Sequence, residues 1–202
     1  MTVNHSQEFL KAIQQNSIED AARHYLADRS VIFVRDSQKR TALQVAVVNK
    51  NYELVQYLVS IGVDINAQDN MKLNPFLWGC INNDLTIVQC MVNAGADLEC
   101  LTRFGGNGLT PAAEKGHVEI VDYLLKETDI NPNHTNSLGW TALIEAVILN
   151  DGGEKQQKII ELLLTHGADP NMVDAYGKTP LCLANEKGYS EIAKIIEKHG
   201  GI

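Results

Sequence analysis

The most constraining feature of this 202-residue chain is a short phrase that returns at a nearly constant interval. It places a glycine two residues before an aspartate, as in SIGVDIN, NAGADLE and THGADPN. The glycine position is occupied by Gly62, Gly95, Thr128, Gly167 and Gly200, so the successive steps are 33, 33, 39 and 33 residues. A period of about 33 residues is typical of a β-turn and two helices that stack on their neighbours. The spacing therefore predicts a helical solenoid, a class that binds more often than it catalyses.

Each interval is predicted to hold a short helix followed by a longer one. The longer segments carry apolar residues three and four positions apart, a stripe that must pack on neighbouring helices to be stable. Each short helix follows a residue whose side-chain oxygen can accept a free backbone N–H of the first turn. These predicted N-cap residues are Thr41, Asn74, Asn107, Thr141 and Thr179.

A turn precedes each short helix, and we expect Asp36, Asp69 and Asp174 each to open a hairpin there. Glycine stands three residues after the opening position at Gly139 and Gly177, whereas Lys39 and Lys72 stand there in the earlier repeats. A side chain disfavours positive φ. We therefore expect the two lysine turns to differ in backbone conformation from the glycine turns.

Residues 36–68 and 174–200 show the repeat most completely, and they resemble the ankyrin repeat family. The shared pattern is Asp-x-x-Gly-x-Thr-Pro-Leu-His-x-Ala-Ala, then Gly-His, a long helix and Gly-Ala-Asp-x-Asn. The resemblance implies an all-α ankyrin-repeat solenoid of about six helix-turn-helix repeats joined by short β-hairpin turns. It also implies a concave face lined by the short helices and a usual role in binding another protein. The pattern's histidine is absent from every repeat, so we expect a thinner hydrogen-bond network between repeats.

We expect a single ankyrin-repeat domain over residues 1–202. Both ends are predicted to be caps, because terminal repeats of a solenoid need a polar outer face. The predicted parts are an N-terminal capping repeat (1–35), internal repeats (36–68, 69–101, 102–135 and 136–173) and a C-terminal capping repeat (174–202).

Charge and cysteine spacing exclude several classes of function. The formal net charge is −8 and no lysine or arginine run occurs, which is unlike proteins that bind nucleic acid or anionic membranes. No secretory leader or membrane span is visible, so we expect a cytoplasmic monomer. Metal ligands usually stand two to four residues apart, and the cysteines do not. We therefore predict no metal, no cofactor and reduced thiols at Cys80, Cys90, Cys100 and Cys182.

The hairpin tips provide the candidate binding site. In the family these positions point out of the stack, and aromatic, Met and Arg residues are enriched at binding hot spots. We assign Phe104, Trp140 and Tyr176 to the same turn position of three successive repeats. The predicted partner-binding residues are Arg40, Met71, Leu73, Arg103, Phe104, Leu138, Trp140, Tyr176 and Lys178 in the turns, and Ile81 and Leu149 in the short helices. Packing of each side chain on the next hairpin is the alternative.

Two other functions stay open. The polar stretch 150–157 lengthens the fifth repeat, and insertions in solenoids often map to a binding face, although a tolerated loop is the simpler explanation. The protein would then be a regulatory or inhibitory subunit acting through 150–157. A small hydrolase is the remote third possibility, since no phosphate loop or nucleophile motif occurs. Only Glu145, in a usually apolar position, suggests a perturbed carboxyl, for which we expect a lysine or N–H partner. We predict that the protein is not an enzyme.

Overall fold

The computed structural model describes residues 4–202, so the first three residues of the predicted capping repeat 1–35 lie outside it. Within that range the chain forms twelve α-helices, one 3-10 helix (Arg29–Phe33) and no strand beyond a single bridge between Arg35 and Thr41. The α-helices are α1 (His5–Gln14), α2 (Ile18–Ala27), α3 (Ala42–Val48), α4 (Tyr52–Ser60), α5 (Pro75–Asn82), α6 (Leu85–Asn93), α7 (Leu109–Glu114), α8 (Val118–Glu127), α9 (Ala142–Ile148), α10 (Glu154–Thr165), α11 (Pro180–Glu186) and α12 (Ser190–Lys198). The predicted all-α architecture of helix pairs is confirmed.

The chain divides into two compact units. The first comprises residues 4–78 and 86–97, and the second comprises 79–85 and 98–202. In the first unit α1 packs on α2 and α3, and α3 packs on α4. Fully buried apolar side chains hold these helices together, among them Phe9, Ile13, Leu43, Leu54 and Leu58.

The second unit is built as two layers of helices. The short helices α7, α9 and α11 pack in succession, and the long helices α8, α10 and α12 form the other layer. Each short helix also packs on its own long partner. The long helices carry apolar residues at helical spacing along one face. These residues are completely buried between the layers, as Ile120, Leu124, Ile160 and Leu163 show. Equivalent positions of successive repeats therefore lie side by side.

Four of the five predicted N-caps form. The exception is Asn107, because the N-cap of α7 is Gly108, although Asn107 Oδ1 accepts the N–H groups of Leu109 at 3.2 Å and Thr110 at 3.3 Å. Thr41 accepts a hydrogen bond from the Gln44 N–H, and the Gln44 side chain accepts one from the Thr41 N–H, which is a complete capping box. Thr141 and Thr179 accept from the N–H three residues later, at 3.2 Å in both cases. Asn74 does the same for the Leu77 N–H at 2.8 Å. These bonds fix where each short helix begins and thereby determine the orientation of the turn before it.

The prediction for the lysine turns is wrong. Lys39 and Lys72 have φ values of 62° and 59°, close to the 75° and 76° of Gly139 and Gly177. The N–H of each of these four residues donates to the carbonyl three residues earlier, at 2.9 to 3.0 Å. The two lysines therefore adopt the same left-handed turn as the glycines.

The residue that opens the turn explains why a lysine is tolerated. The Asp36 carboxylate accepts the N–H groups of Gln38 at 2.8 Å and Arg40 at 2.9 Å. The Asp36 N–H also donates to the Arg40 carbonyl at 3.0 Å. Three hydrogen bonds thus determine the backbone of a five-residue hairpin. They offset the left-handed conformation of Lys39, which costs on the order of 1 kcal/mol for a residue with a side chain.

Asparagines connect successive repeats, and His117 adds a contact to the Cys80 carbonyl at 3.4 Å. In the second unit Asn133 donates to the Gly167 carbonyl at 2.9 Å and accepts from the Asp169 N–H at 2.7 Å. Asn171 repeats this arrangement with Gly200 at 3.1 Å and Ile202 at 2.9 Å. Asn171 ends the Gly-x-Asp-x-Asn phrase of its repeat, and Asn133 follows two residues after Asn131, which ends the shortened phrase of the fourth repeat. In both repeats an asparagine therefore ties one connector to the next.

Candidate binding surface

The first residue of each hairpin determines which side chains are displayed. The Asn136 side-chain oxygen accepts the N–H groups of Leu138 at 2.8 Å and Trp140 at 3.1 Å. Asp174 accepts those of Tyr176 at 2.8 Å and Lys178 at 2.9 Å. The third residue of a hairpin is therefore its tip and the fifth is its base. The assignment of Trp140 to the position of Tyr176 is wrong, because Trp140 corresponds to Lys178 and Leu138 to Tyr176.

Three neighbouring hairpins of the second unit expose large apolar side chains at their tips. Phe104 is 62% exposed, Leu138 56% and Tyr176 84%. We call these three residues the tip row. The hairpins of Phe104 and Leu138 are joined directly, because the Ser137 N–H donates to the Phe104 carbonyl at 2.9 Å. The Arg103 guanidinium lies over the Phe104 ring, 4.6 Å from its centre, and adds a positive charge to the row.

The hairpin bases face the ends of the short helices. In the last repeat Lys178 Nζ and Glu186 Oε2 are 2.7 Å apart, which joins these two positions. The same two positions in the preceding repeat are occupied by Trp140 and Ile148, both half-buried. Leu149, the next residue, is 48% exposed. The fifth repeat thus has apolar side chains where the sixth has an ion pair.

The remaining predicted site residues are divided between the two units. In the first unit Met71 is a half-exposed tip, and Leu73 lines a shallow cavity with Trp78. Arg40 lines the same cavity, but both its Nε and its Nη2 lie 2.7 Å from Asp36 Oδ2, within its own hairpin. Ile81, on α5, belongs to the second unit and is half-buried.

The insertion in the fifth repeat is an ordered structure and not a long loop. Helix α10 begins at Glu154, so the second half of 150–157 is helical. The Tyr189 hydroxyl donates to the Asn150 carbonyl at 2.6 Å. The Tyr189 ring lies so close to Gly152 that a Cβ there would approach it to 2.8 Å. On the other side Gln156 is buried with its amide against Gly116. The insertion is therefore fixed from both neighbouring repeats.

A buried carboxyl supports the hairpin of the fifth repeat. Glu145 on α9 is only 6% exposed. The Asn136 side-chain N–H donates to Glu145 Oε1 at 2.6 Å, and this amide, not a lysine, provides the N–H partner that sequence analysis expected. Oε2 has no hydrogen-bond partner. Burial, followed by the nearby Glu114 charge, raises the pKa of Glu145 to about 7.

The described part of the chain shows no metal-binding cluster and no membrane-spanning helix. No three His, Cys, Asp or Glu side chains among residues 4–202 come together in a way that could hold a metal ion. None of the helices in that range has the length and apolar character needed to cross a bilayer. The described features are thus exposed apolar tips, a set of ordered hairpins and the buried carboxyl of Glu145, whose Oε2 has no hydrogen-bond partner.

Stacked helix pairs with ordered hairpins define a helical repeat protein of the ankyrin type. A family model described as ankyrin repeats (3 copies) matches residues 6–69 and 76–174, so the chain belongs to the ankyrin repeat family. YahD of Escherichia coli K12, which is named as an ankyrin repeat protein, is 52% identical over 189 residues and 94% of each chain.

Solved structures show the same fold. The crystal structure of an ankyrin repeat domain from Acinetobacter baumannii AYE has a TM-score of 0.90 and 40% identity, over 96% of this chain and 98% of that one. The ankyrin repeat domain of Bcl-3 has a TM-score of 0.86 at 21% identity, over 96% of this chain and 86% of that one, and shows the fold alone. Ankyrin repeats generally serve as protein–protein interaction modules and are generally non-enzymatic scaffolds.

Proposed function

We propose that this protein binds another protein through the hairpins of its second unit. The observation that carries the proposal is the tip row, in which Phe104, Leu138 and Tyr176 are more than half exposed. Large apolar side chains held outward by ordered backbone are typical of interaction surfaces. The hairpins already have their hydrogen bonds, so little conformational entropy is lost when a partner binds.

The fifth repeat is the proposed centre of the contact. Leu138, Trp140, Ile148 and Leu149 provide apolar surface there. Charged side chains stand on either side, with Arg103 in the fourth repeat and the Lys178–Glu186 pair in the sixth. Apolar anchors surrounded by polar groups are the usual arrangement of an interface core and its rim. A fitting partner segment presents apolar anchors to the fifth repeat and a carboxylate to Arg103.

The residues of the first unit form a second candidate surface. Met71, Leu73 and Arg40 lie around the shallow cavity and hairpin of that unit. Arg40 is already neutralised by Asp36, which favours a packing role over recognition of an acidic group. We therefore assign the main contact to the second unit.

A regulatory or inhibitory role remains a second proposal, and the insertion 150–157 is the feature that favours it. The segment holds a fixed shape between Tyr189 and Gly116, so a partner would meet a rigid edge beside Leu149.

We further propose that the protein is a monomer in the cytoplasm. The free thiols support this compartment. Cys80 is fully buried, and burial raises the pKa of its thiol.

Peptide selection tests the binding proposal without a known partner. A displayed random-peptide library is selected on the immobilised wild-type protein and, in parallel, on Leu138→Ala, Trp140→Ala and Arg103→Glu variants. We expect wild-type selection to enrich peptides with an aromatic or branched apolar residue and acidic residues. The apolar preference is expected to disappear with Trp140→Ala or Leu138→Ala, and the acidic preference with Arg103→Glu.

The control is Tyr52→Ala, which removes an apolar side chain of similar exposure, 39%, from the first unit. Enrichment of the same peptides on every variant, or no enrichment on the wild type, would contradict the proposed site. Peptides that depend on residues 150–153 instead of the tip row would favour the regulatory alternative.

A further inference from the structure

The hairpin 136–140 of the fifth repeat differs from the hairpins opened by an aspartate in how its opening residue is held. Asp36, Asp69 and Asp174 open their hairpins with a carboxylate, which only accepts hydrogen bonds. Asn136 has an amide, so it accepts the Leu138 and Trp140 N–H groups through Oδ1 and donates through Nδ2. This second bond, to Glu145 Oε1 at 2.6 Å, ties the opening residue of the hairpin to helix α9.

Glu145 is equally unusual among the short helices. The corresponding residues of the other repeats are all apolar, namely Val45, Trp78, Pro111 and Leu183. A carboxyl buried to 94% is costly to ionise, and this one has a single partner and an oxygen, Oε2, with none. An aspartate at position 136 would place a second carboxylate against it. Asn136 and Glu145 therefore form a matched pair that replaces the usual aspartate and apolar residue.

We propose that Glu145 is a proton-sensitive brace of the hairpin 136–140 and regulates how that hairpin presents Leu138 and Trp140. The regulatory meaning rests on the proposed binding function, because these two residues belong to the proposed contact. An ionised Glu145 accepts a charge-assisted bond from Asn136 and fixes the hairpin. A neutral carboxyl accepts more weakly, so protonation loosens the hairpin from α9.

One charged group in the surroundings of Glu145 shifts its pKa. From α7 it is Glu114, whose negative charge acts with burial to favour the protonated form and to raise the pKa of Glu145. Helix α10 packs on α9, while its residues Glu154, Lys155 and Lys158 are exposed. Its fourth charged residue, Glu161, is half-buried and paired with Lys198 at 2.8 Å. From α11 the charged residue is Glu186, which is exposed and paired with Lys178 at 2.7 Å. A basic partner for Glu145 is therefore absent from the described surroundings.

Backbone amide NMR tests the brace on the protein alone. Chemical shifts of the Leu138 and Trp140 amides are followed from pH 5 to 9 in the wild type, with Glu145→Gln as the variant and Glu197→Gln as the control. We expect both amides to titrate together with a midpoint near 7 in the wild type and in Glu197→Gln, but not in Glu145→Gln. The amides of Tyr176 and Lys178, which hold the same positions on Asp174, serve as internal references without this transition.

A second variant keeps the test decisive if Glu145→Gln folds poorly. Glu114→Gln removes the neighbouring charge, so the midpoint at Leu138 and Trp140 is expected to move to lower pH. The proposal is overturned if the wild-type amides do not titrate, or if the transition persists in Glu145→Gln, which would assign it to another group. The measurement needs no partner, so a failed peptide selection leaves its result intact.

Discussion

At the scale of single residues, the carboxyl of Glu145 links stability to pH. Burial and the Glu114 charge raise its folded-state pKa from 4.5 to about 7. The folded protein therefore binds this proton more tightly than the unfolded chain does. Stability falls as pH rises from about 4.5 to 7 and the contribution is then constant, because the unfolded state loses its proton first.

Replacing the carboxyl should remove this dependence. We expect Glu145→Gln to be more stable than the wild type at pH 8, by on the order of 3 kcal/mol at most, and nearly equal to it at pH 4.5. The measurement is urea denaturation of both proteins at several pH values. Equal stability at pH 8, or a difference that grows toward low pH, would show that Glu145 ionises without a burial penalty.

The left-handed lysines give a second prediction at this scale. Lys72 has a φ of 59° at a turn position that is glycine in the three later repeats. Glycine adopts this conformation without the steric cost of a Cβ. We expect Lys72→Gly to stabilise the protein by roughly 0.5–1 kcal/mol, measured as a higher midpoint of thermal or urea unfolding.

A matched pair of glycine substitutions checks the explanation. A Cβ at Gly105 would approach the Ser137 hydroxyl to 2.7 Å, whereas one at Gly177 would meet nothing within 4 Å. Both glycines have similar positive φ values, 80° and 76°. Gly105→Ala should therefore destabilise more than Gly177→Ala. The same loss at both positions would mean that backbone strain alone decides these turns.

At the scale of elements, the insertion in the fifth repeat behaves as a packed part of the repeat stack. Tyr189 takes the position of the family's Gly-His histidine, and its ring covers Gly152 while its hydroxyl bonds to Asn150. The extra residues and the tyrosine thus depend on each other. A sequence pattern can locate the insertion, but it does not show that a residue about 40 positions later holds it.

The two contacts of Tyr189 can be separated by mutation. Gly152→Ala should destabilise by about 2 kcal/mol or more, because its Cβ would meet the ring at 2.8 Å and its φ is +74°. Tyr189→Phe should cost only about 1 kcal/mol, the usual net value of one hydrogen bond. Chemical denaturation measures both, and the double variant Gly152→Ala/Tyr189→Ala should recover the steric part. If Gly152→Ala is neutral, the insertion is mobile after all.

Sequence reasoning succeeded where a local rule decides the structure. The repeat period, the caps at Thr41, Thr141 and Thr179, and the polar outer side of α12 follow from residues close together in the chain. It failed where hydrogen bonds from a neighbouring residue override a local preference, as at Lys39. The positions of Leu138 and Trp140 in their hairpin follow from the hydrogen bonds of Asn136, which opens the hairpin. The sequence did not reveal this opening residue, because asparagine stands there in place of the usual aspartate.

At the scale of the whole molecule, stability is expected to vary along the stack because each repeat contacts only its neighbours. In the second unit α10 packs on α8, α9 and α12, whereas α12 packs on α10 and α11. Within residues 98–202 the sixth repeat therefore contacts one neighbouring repeat and the fifth contacts two. A terminal repeat can open without unfolding the others, which gives it a lower free energy of local opening.

Native-state hydrogen exchange should show this gradient. We expect the amides of α11 and α12 to exchange at least tenfold faster than those of α9 and α10, since a loss of about 1.4 kcal/mol in opening free energy corresponds to tenfold. Ile192→Ala, which removes a completely buried side chain of α12, should accelerate exchange in α11 and α12 and leave α7 and α8 nearly unchanged. Glu197→Ala on the exposed side of the same helix is the control. Uniform acceleration throughout the second unit by Ile192→Ala would show instead that its repeats open as one cooperative block, and the hairpins of the proposed binding surface would then share a single stability.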